Sequence, residues 1–376
     1  MQRFEAPELD SRPVSAGEVL AIWSRHLLAL VFPLNALVFV LSAPHPAWLA
    51  FAFTVPVWLA VRLDRKSDDE LRQPLARMPA WPFDALLLVL VALQLGNVLL
   101  LVLALRGQPV LSFDVFMAVV VVGSSSGYSG IVVAHELIHR PKKRWQVLGR
   151  LLLATVVYEH FYTEHVRGHH VRVGTSEDPA TARFGESFQQ FYNRTVPAQW
   201  KSAWRLETAR LGDVNMRWYD PRVLRSRVLH GMFVELSFVV LAFAWAGAAA
   251  GVAFVLQAAW ASRSLEVVNY FEHWGLTRVT PRVLPSHSWD TSSRFTYYAL
   301  TGLSRHADHH AFASRPYQLL RVWEESPKLP RGYLAMFPLV VMHNRRYQRL
   351  MTEELRRRQL GPFAVVAASP TAPEAA

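Results

Sequence analysis

The sequence predicts an all-α, polytopic membrane protein: a bundle of six transmembrane helices with a histidine-rich cap at its cytoplasmic end. Hydrophobic residues make up 52% of the 376 residues and charged residues only 18%. The apolar residues occur in long runs of the length that a helix needs to cross a bilayer. The histidines cluster instead in polar segments beside those runs. The chain has no cysteine, which excludes disulfides, thiolate ligands and a fused iron–sulfur domain.

The predicted spans follow one another with short connections. The turn-prone sequence APHPA (43–47) separates the first two, which should form a helical hairpin. The fourth contains GSSSGYSG (123–130), whose small residues predict a close approach to a neighbouring helix. The last two are divided near Gly247. The spans are expected at about residues 27–43, 48–63, 85–105, 113–133, 229–247 and 250–268.

The spans and the polar segments form one domain, residues 1–360, followed by a tail rich in Pro and Ala that is expected to be disordered (361–376). The polar cap comprises residues 134–228 and 269–360. Six spans place both termini on one side, where most of the arginines and lysines also lie, so the positive-inside rule makes that side cytoplasmic. The net charge of +11 fits this retention and attraction to anionic membrane lipids, and docking of an acidic protein partner is a further alternative. Nucleic-acid binding is not expected of so apolar a chain.

Histidines at metal-binding spacing occur in several places in the cap. HELIH has histidines at 135 and 139, and RHADHH has them at 306, 309 and 310. Residues four apart on an α-helix lie one turn apart on the same face, so such a pair can hold one ion. These motifs and the stretch around residue 165 supply more imidazoles than a single zinc needs. The sequence therefore predicts a two-metal site.

The stretch YEHFYTEHVRGHH (158–170) is the richest of these clusters. His165 and His169 are four residues apart, so we expect them on the same helix face with His170 beside them. His160 lies five residues before His165, which is roughly 500° of helix rotation and points away from that face. We therefore leave His160 out of the predicted ligand set.

Acidic residues accompany each histidine motif. We expect these carboxylates to accept the second ring N–H of a ligating imidazole and so to fix its tautomer. The HExxH pattern within HELIH also allows an intramembrane zinc protease with the glutamate as general base, and a metal-handling membrane protein without catalytic activity is a further alternative. The carboxylates are Glu136, Glu164, Glu272 and Asp308.

Together, these motifs resemble a known family. HELIHR, EHVRGHH and LSRHADHHA are similar to the three histidine boxes of the membrane-bound di-iron superfamily of fatty acid desaturases and hydroxylases. NYFEHWGL (269–276) narrows the resemblance to the bacterial alkane 1-monooxygenases. The similarity extends to EDPATARFGES, HSW, RPYQLLR and LPRGY, and it is close from about Ala134 to Tyr333.

The resemblance implies a monooxygenase that inserts one atom of O2 into a terminal C–H bond of an alkane or alkyl group and yields a primary alcohol. It implies two electrons from a rubredoxin or ferredoxin, reduced by an NAD(P)H-dependent reductase, and a location in the bacterial inner membrane. A fatty-acyl desaturase and a hydroxylase of alkylbenzene methyl groups share the boxes and are the alternatives. The resemblance implies two iron ions held by His135, His139, His165, His169, His170, His273, His306, His309 and His310.

The sequence departs from the family pattern at a few positions. Ile138 and Arg140 stand where HELGHK is common, and LSRHADHH replaces LQRHSDHH. The end of the second span lacks the proline often found there, so no role in limiting chain length is transferred to Trp58. These changes leave the ligand set intact but bear on the length and shape of the substrate.

Overall fold

The computed structural model describes residues 6–364 and confirms the all-α prediction. Within that range the only pairings of β type are isolated bridges, and no strand forms. Residues 365–376 of the predicted tail lie outside the described residues, while Gly361–Phe363 forms a single 3-10 turn. The histidines thus have to be positioned by helices and their connections.

The first four long helices begin and end at recognisable signals. The first starts well before the predicted span because Ser15 and Glu18 form a reciprocal capping box. It includes a 3-10 turn, Leu27–Leu30, before it continues towards Pro44. Ser112 caps the fourth. These helices are α1 (Ala16–Ser42), α2 (Ala47–Arg65), α3 (Trp81–Ala104) and α4 (Phe113–Ile138).

The second half of the chain alternates cap helices with one long hairpin. Gly247, at a positive φ of 86°, separates the two helices of that hairpin. The helices are α5 (Lys143–Thr155), α6 (residues 160–172), α7 (Phe188–Arg210), α8 (Arg227–Ala246), α9 (Ala248–His273), α10 (Arg294–Ala299), α11 (His306–Ala311), α12 (Tyr333–Met342) and α13 (Asn344–Arg358).

Within residues 6–364, five helices are long and apolar enough to cross a membrane: α1, α2, α3, α4 and α8. The sixth predicted span corresponds to α9, which has the length but a more polar composition. Gln257 and Glu266 of α9 are fully buried, and the Arg263 guanidinium lies 4.8 Å from the centre of the Phe188 ring. The polar side chains of α9 therefore face protein, and hydropathy does not confirm a count of six.

Helix α4 packs tightly against α9, as its small residues predict. A Cβ atom added to Gly123 would lie only 2.9 Å from the Cβ of Trp260, and one added to Gly127 would lie 3.7 Å from Ala261. Glycine thus permits the two backbones to approach. Helix α4 ends at the HELIH motif and α9 ends at His273, so this contact brings two histidine-bearing helix ends together.

The cap is fixed to the bundle through Asp64 near the end of α2. Its buried carboxylate accepts hydrogen bonds from the Ser293 hydroxyl at 2.5 Å and the Thr296 hydroxyl at 2.6 Å. It also accepts the backbone N–H of Ala335 at 2.9 Å. One carboxylate therefore anchors both α10 and α12 to a bundle helix.

Candidate metal centre

The nine predicted ligands converge from four parts of the chain on two adjacent groups. In each group, one ligand atom per residue lies within 4.8 Å of those of the other members. We call them the five-histidine group and the four-histidine group. The first contains His135, His139, His165, His170 and His309, and the second contains His169, His273, His306 and His310.

The three histidines of α6 divide between the two groups. His165–His169 is a π-helical turn, with hydrogen bonds between residues five apart. Residues five apart consequently share a face, and the Nε2 atoms of His165 and His170 lie 3.1 Å from each other. His169 turns instead into the four-histidine group. The rings of His165 and His169 still stack, with 5.2 Å between their centres, so they share a face as expected, but their nitrogens enter different groups.

The other histidine motifs keep the spacing of an α-helix. His306 and His310, four apart on α11, both enter the four-histidine group, and their Nε2 atoms are 3.0 Å apart. His309 projects into the five-histidine group, where its Nε2 lies 3.1 Å from that of His170. Helix α11 thus contributes to both groups and joins them.

The chemistry of the two groups fits a bound cation. Burial, reinforced by the neighbouring imidazoles, lowers the pKa of His165, His170 and His309 well below its ordinary value, so these rings are neutral. Neutral imidazole is the form that ligates metals. The Nε2 atoms of His139 and His169 are buried without a hydrogen-bond partner. Ring nitrogens that converge in this way can hold a metal cation between them.

His160 lies outside both groups, as does every other histidine of residues 6–364 beyond the nine. Its ring packs against Tyr158, with the ring centres 4.5 Å apart. Burial lowers its pKa to about 4, so it is a neutral packing residue at neutral pH.

Among the described residues, none of the four predicted carboxylates contacts the outward-facing ring nitrogen of a ligand. Three of them contact arginine instead. Each forms an ion pair with an arginine, because a buried carboxylate needs a compensating charge. Among the residues that the structure describes, these three carboxylates contact arginines and no ligating imidazole. The pairs are Glu136 with Arg140 at 2.7 Å, Glu164 with Arg172 at 2.7 Å and Asp308 with Arg321 at 2.9 Å.

The carboxylates that do contact ligand rings both belong to the four-histidine group. Glu272 places Oε2 3.3 Å from Nε2 of His306, the nitrogen that faces the other histidines of the group. Asp178, which the sequence analysis did not single out, lies 2.9 Å from Nδ1 of His169. Burial alone would raise the pKa of Asp178, but His169 and the Thr181 hydroxyl hold it below its ordinary value. The sequence offered one indication of this role: Asp178 lies in the segment EDPATARFGES, which resembles the alkane 1-monooxygenases.

A large apolar cavity leads to the histidines. Its volume is about 600 Å³, within the range typical of ligand sites. The lining includes Phe51 and Trp58 of α2, which are 61% and 54% exposed on the outer surface of the bundle. Its inner end is formed by His135, His165 and His306 together with Glu272. The cavity therefore connects the lipid-facing side of the bundle with both histidine groups.

Comparison with known proteins agrees with this architecture. The model of the fatty acid desaturase family matches residues 110–340. Alkane 1-monooxygenase 1 of Pseudomonas aeruginosa is 38% identical over 349 residues, which cover 86% of this chain and 87% of that protein. Alkane 1-monooxygenase 2 of the same organism is 40% identical over 232 residues, 58% of this chain and 59% of that protein. The hydroxylase component of the xylene/toluene monooxygenase of Pseudomonas putida is 25% identical over 221 residues, 56% of each chain.

The chain belongs to the fatty acid desaturase family of membrane enzymes. Within it, the chain is a member of the bacterial alkane 1-monooxygenase group and hence an oxygen-dependent oxidoreductase. The family and the two histidine groups together indicate that the centre binds iron.

Proposed function

We propose that this protein hydroxylates the terminal carbon of alkanes or alkyl groups at a di-iron centre. The overall change consumes the substrate R–H, O2, two electrons and two protons, and it yields R–OH and water. The apolar cavity that leads from the lipid-facing surface to both histidine groups carries this proposal, because a hydrocarbon can enter from the bilayer and reach the metals without crossing water.

The nine histidines would hold the two irons, five in one group and four in the other. Bound iron supplies the redox chemistry that activates O2 and breaks a C–H bond. The protein contributes the neutral imidazoles, the carboxylate of Asp178 that orients His169, and a dry cavity wall. Phe161 lines that cavity and stacks on His165 with 4.6 Å between ring centres, which restricts the orientation of this ligand.

The electrons are proposed to come from a separate rubredoxin or ferredoxin, which an NAD(P)H-dependent reductase would reduce. The absence of cysteine supports an external donor, since this chain cannot ligate an iron–sulfur centre with thiolates. We place the centre at the cytoplasmic face of a bacterial inner membrane. The basic residues that flank the predicted spans support this orientation.

A substrate panel tests the reaction. The purified protein, supplied with reduced rubredoxin and O2, is incubated in parallel with octane, hexadecane, an alkylbenzene and a fatty-acyl thioester. We expect primary alcohols from the alkanes. An unsaturated acyl product alone would instead show a desaturase.

Hydroxylation of an alkylbenzene methyl group is the second candidate. The similarity to the xylene/toluene monooxygenase component favours it, and an apolar cavity can also receive an aromatic ring. Benzylic alcohol formed in preference to alkanols would establish it.

Metal analysis tests the centre itself. We expect about two iron atoms per chain, one for each histidine group. About one zinc and no iron would contradict the proposal and favour the protease alternative. Uptake of metal without any oxygenated product would favour the metal-handling alternative.

A further inference from the structure

A shallow groove lies on the outer surface directly behind the four-histidine group. Trp274, which follows His273 in the chain, is fully buried and lines the bottom of the groove. Its indole N–H donates to the backbone carbonyl of Glu186 at 3.0 Å, and its own carbonyl accepts the indole N–H of Trp289 at 3.0 Å. A rigidly held aromatic ring therefore lies at the groove, and its residue is bonded directly to the proposed metal ligand His273.

The rim of the groove is formed by one face of α13. Arg345, Arg349, Thr352 and Arg356 line it, and their spacing of four, three and four residues places them in a row along the helix. The three arginines are exposed, and Glu353 is the one acidic residue lining the groove within the described residues. The groove is therefore positively charged.

The inner face of α13 is fixed to the protein. Tyr347, Met351 and Leu355 are fully buried in the core. The Tyr347 ring packs against Trp274, with ring centres 5.8 Å apart. The positions of the arginines are thus determined relative to the four-histidine group.

We propose that this face of α13, above Trp274, is the docking surface for an acidic one-electron carrier protein that reduces the metal centre. The proposal rests on the proposed function, which consumes two electrons per O2. Each carrier molecule would be oxidised when it gives up one electron to the metal centre, so a carrier must bind, transfer its electron and leave twice per turnover. A small charged surface suits such a short-lived redox contact.

Binding of lipid head groups is the other use of a basic surface, and the composition of α13 argues against it. A helix that lies in the membrane interface places large apolar side chains beside its basic residues. No large hydrophobic side chain is exposed on α13 itself, between residues 344 and 358, and the exposed Val341 and Met342 precede it at the end of α12. The basic segment PKKR (141–144) is different, because Val147 beside it is 61% exposed. That segment has the composition of a lipid contact.

Matched charge reversals test the docking surface. Arg345→Glu with Arg349→Glu changes the charge of the groove by four units, and Lys142→Glu with Lys143→Glu makes the same change at the PKKR segment. The KM for reduced rubredoxin and the kcat are measured with excess alkane at low and high salt. Iron content and the alcohol formed in a single turnover of chemically pre-reduced protein show whether each variant keeps its centre.

We expect the α13 variant to raise the KM for the carrier roughly tenfold or more at low salt, since electrostatic steering contributes about 10- to 1,000-fold to association rates. The difference from the unaltered protein should shrink at high salt, where surface charges are screened. The PKKR variant should keep its KM within roughly twofold of the unaltered protein.

An unchanged KM in the α13 variant, or an equal increase in the PKKR variant, would overturn the docking surface. So would weaker binding of the α13 variant to anionic vesicles with the KM unchanged, which would assign the arginines to lipid. Failure of the proposed function is distinguished by the single-turnover measurement. In that case the unaltered protein would form no alcohol even after chemical reduction.

Discussion

The five-histidine group and the four-histidine group differ in the charge that surrounds them. Among the described residues, the carboxylates that contact ligand nitrogens, Asp178 and Glu272, both lie at the four-histidine group. The five-histidine group is surrounded by neutral imidazoles and supplies His135 and His165 to the cavity wall. A carboxylate on the outward-facing ring nitrogen, as Asp178 is on Nδ1 of His169, makes an imidazole a stronger donor to its metal. Metal ions bound at the two groups would therefore be chemically unequal, although both groups are built from histidine.

The two groups also face different surroundings. The five-histidine group contributes more of the cavity's inner end, while the four-histidine group lies in front of Trp274 and the groove on α13. The substrate and the electrons would thus approach from different sides. Two metal sites with the same type of ligand can therefore differ in whether the substrate or the electron donor reaches them.

The largest expected effect comes from removing one ligand from either group. His165→Ala and His273→Ala should each lower the hydroxylation rate by roughly 100-fold or more, because loss of even an outer contact of a ligand commonly costs about 10- to 100-fold. Turnover and bound iron are measured for both variants. His160→Ala is the control and should keep its iron, since His160 lies outside both groups. Full activity in either ligand variant would contradict the assignment of that group.

A smaller and selective effect is expected at Asp178. Asp178→Asn removes the charge that His169 contacts, so iron affinity in the four-histidine group should fall about 10- to 100-fold. Mössbauer spectra during chelator treatment report the two irons separately, and one of two signals should disappear first. Asp213→Asn, on an exposed loop, is the control. If both irons were lost at the same rate, the proposed difference between the two histidine groups would be contradicted.

The smallest expected effect concerns the π-helical turn that separates His165 from His169. A Cβ atom at Gly168 would overlap the side chains of Arg172 and Glu164, so Gly168→Ala should destabilise the protein by about 1–3 kcal/mol. Thermal unfolding and iron content are the measurements. Gly96→Ala is the matched helical control, because nothing lies within 4 Å of its added Cβ. An unaffected Gly168 variant would show that the turn tolerates a side chain.

Much of the site could be read from the sequence because metal ligands are confined to a few residue types. The nine histidines stand in recognisable motifs, and all nine converge on the centre. The close approach of α4 and α9 was predictable from GSSSGYSG, since small residues act through size alone. The start of α1 was missed because hydropathy does not register the Ser15–Glu18 capping box.

The roles of the carboxylates could not be predicted from adjacency. Glu136 and Asp308 stand beside ligands in the sequence, yet neighbouring residues on a helix point in different directions. They meet arginines, whereas Asp178 reaches His169 from across a loop. Proximity along the chain is therefore a poor guide to which acid orients which ring.

By itself, the sequence determined the family, the all-helical membrane character and the identity of the nine histidines, because each depends on residue types and their local spacing. The tertiary structure alone decided how those histidines divide into five and four. That division depends on the π-helical turn at His165–His169 and on the meeting of α4, α6, α9 and α11. The meeting of these helices results from packing between distant segments, which local spacing does not encode.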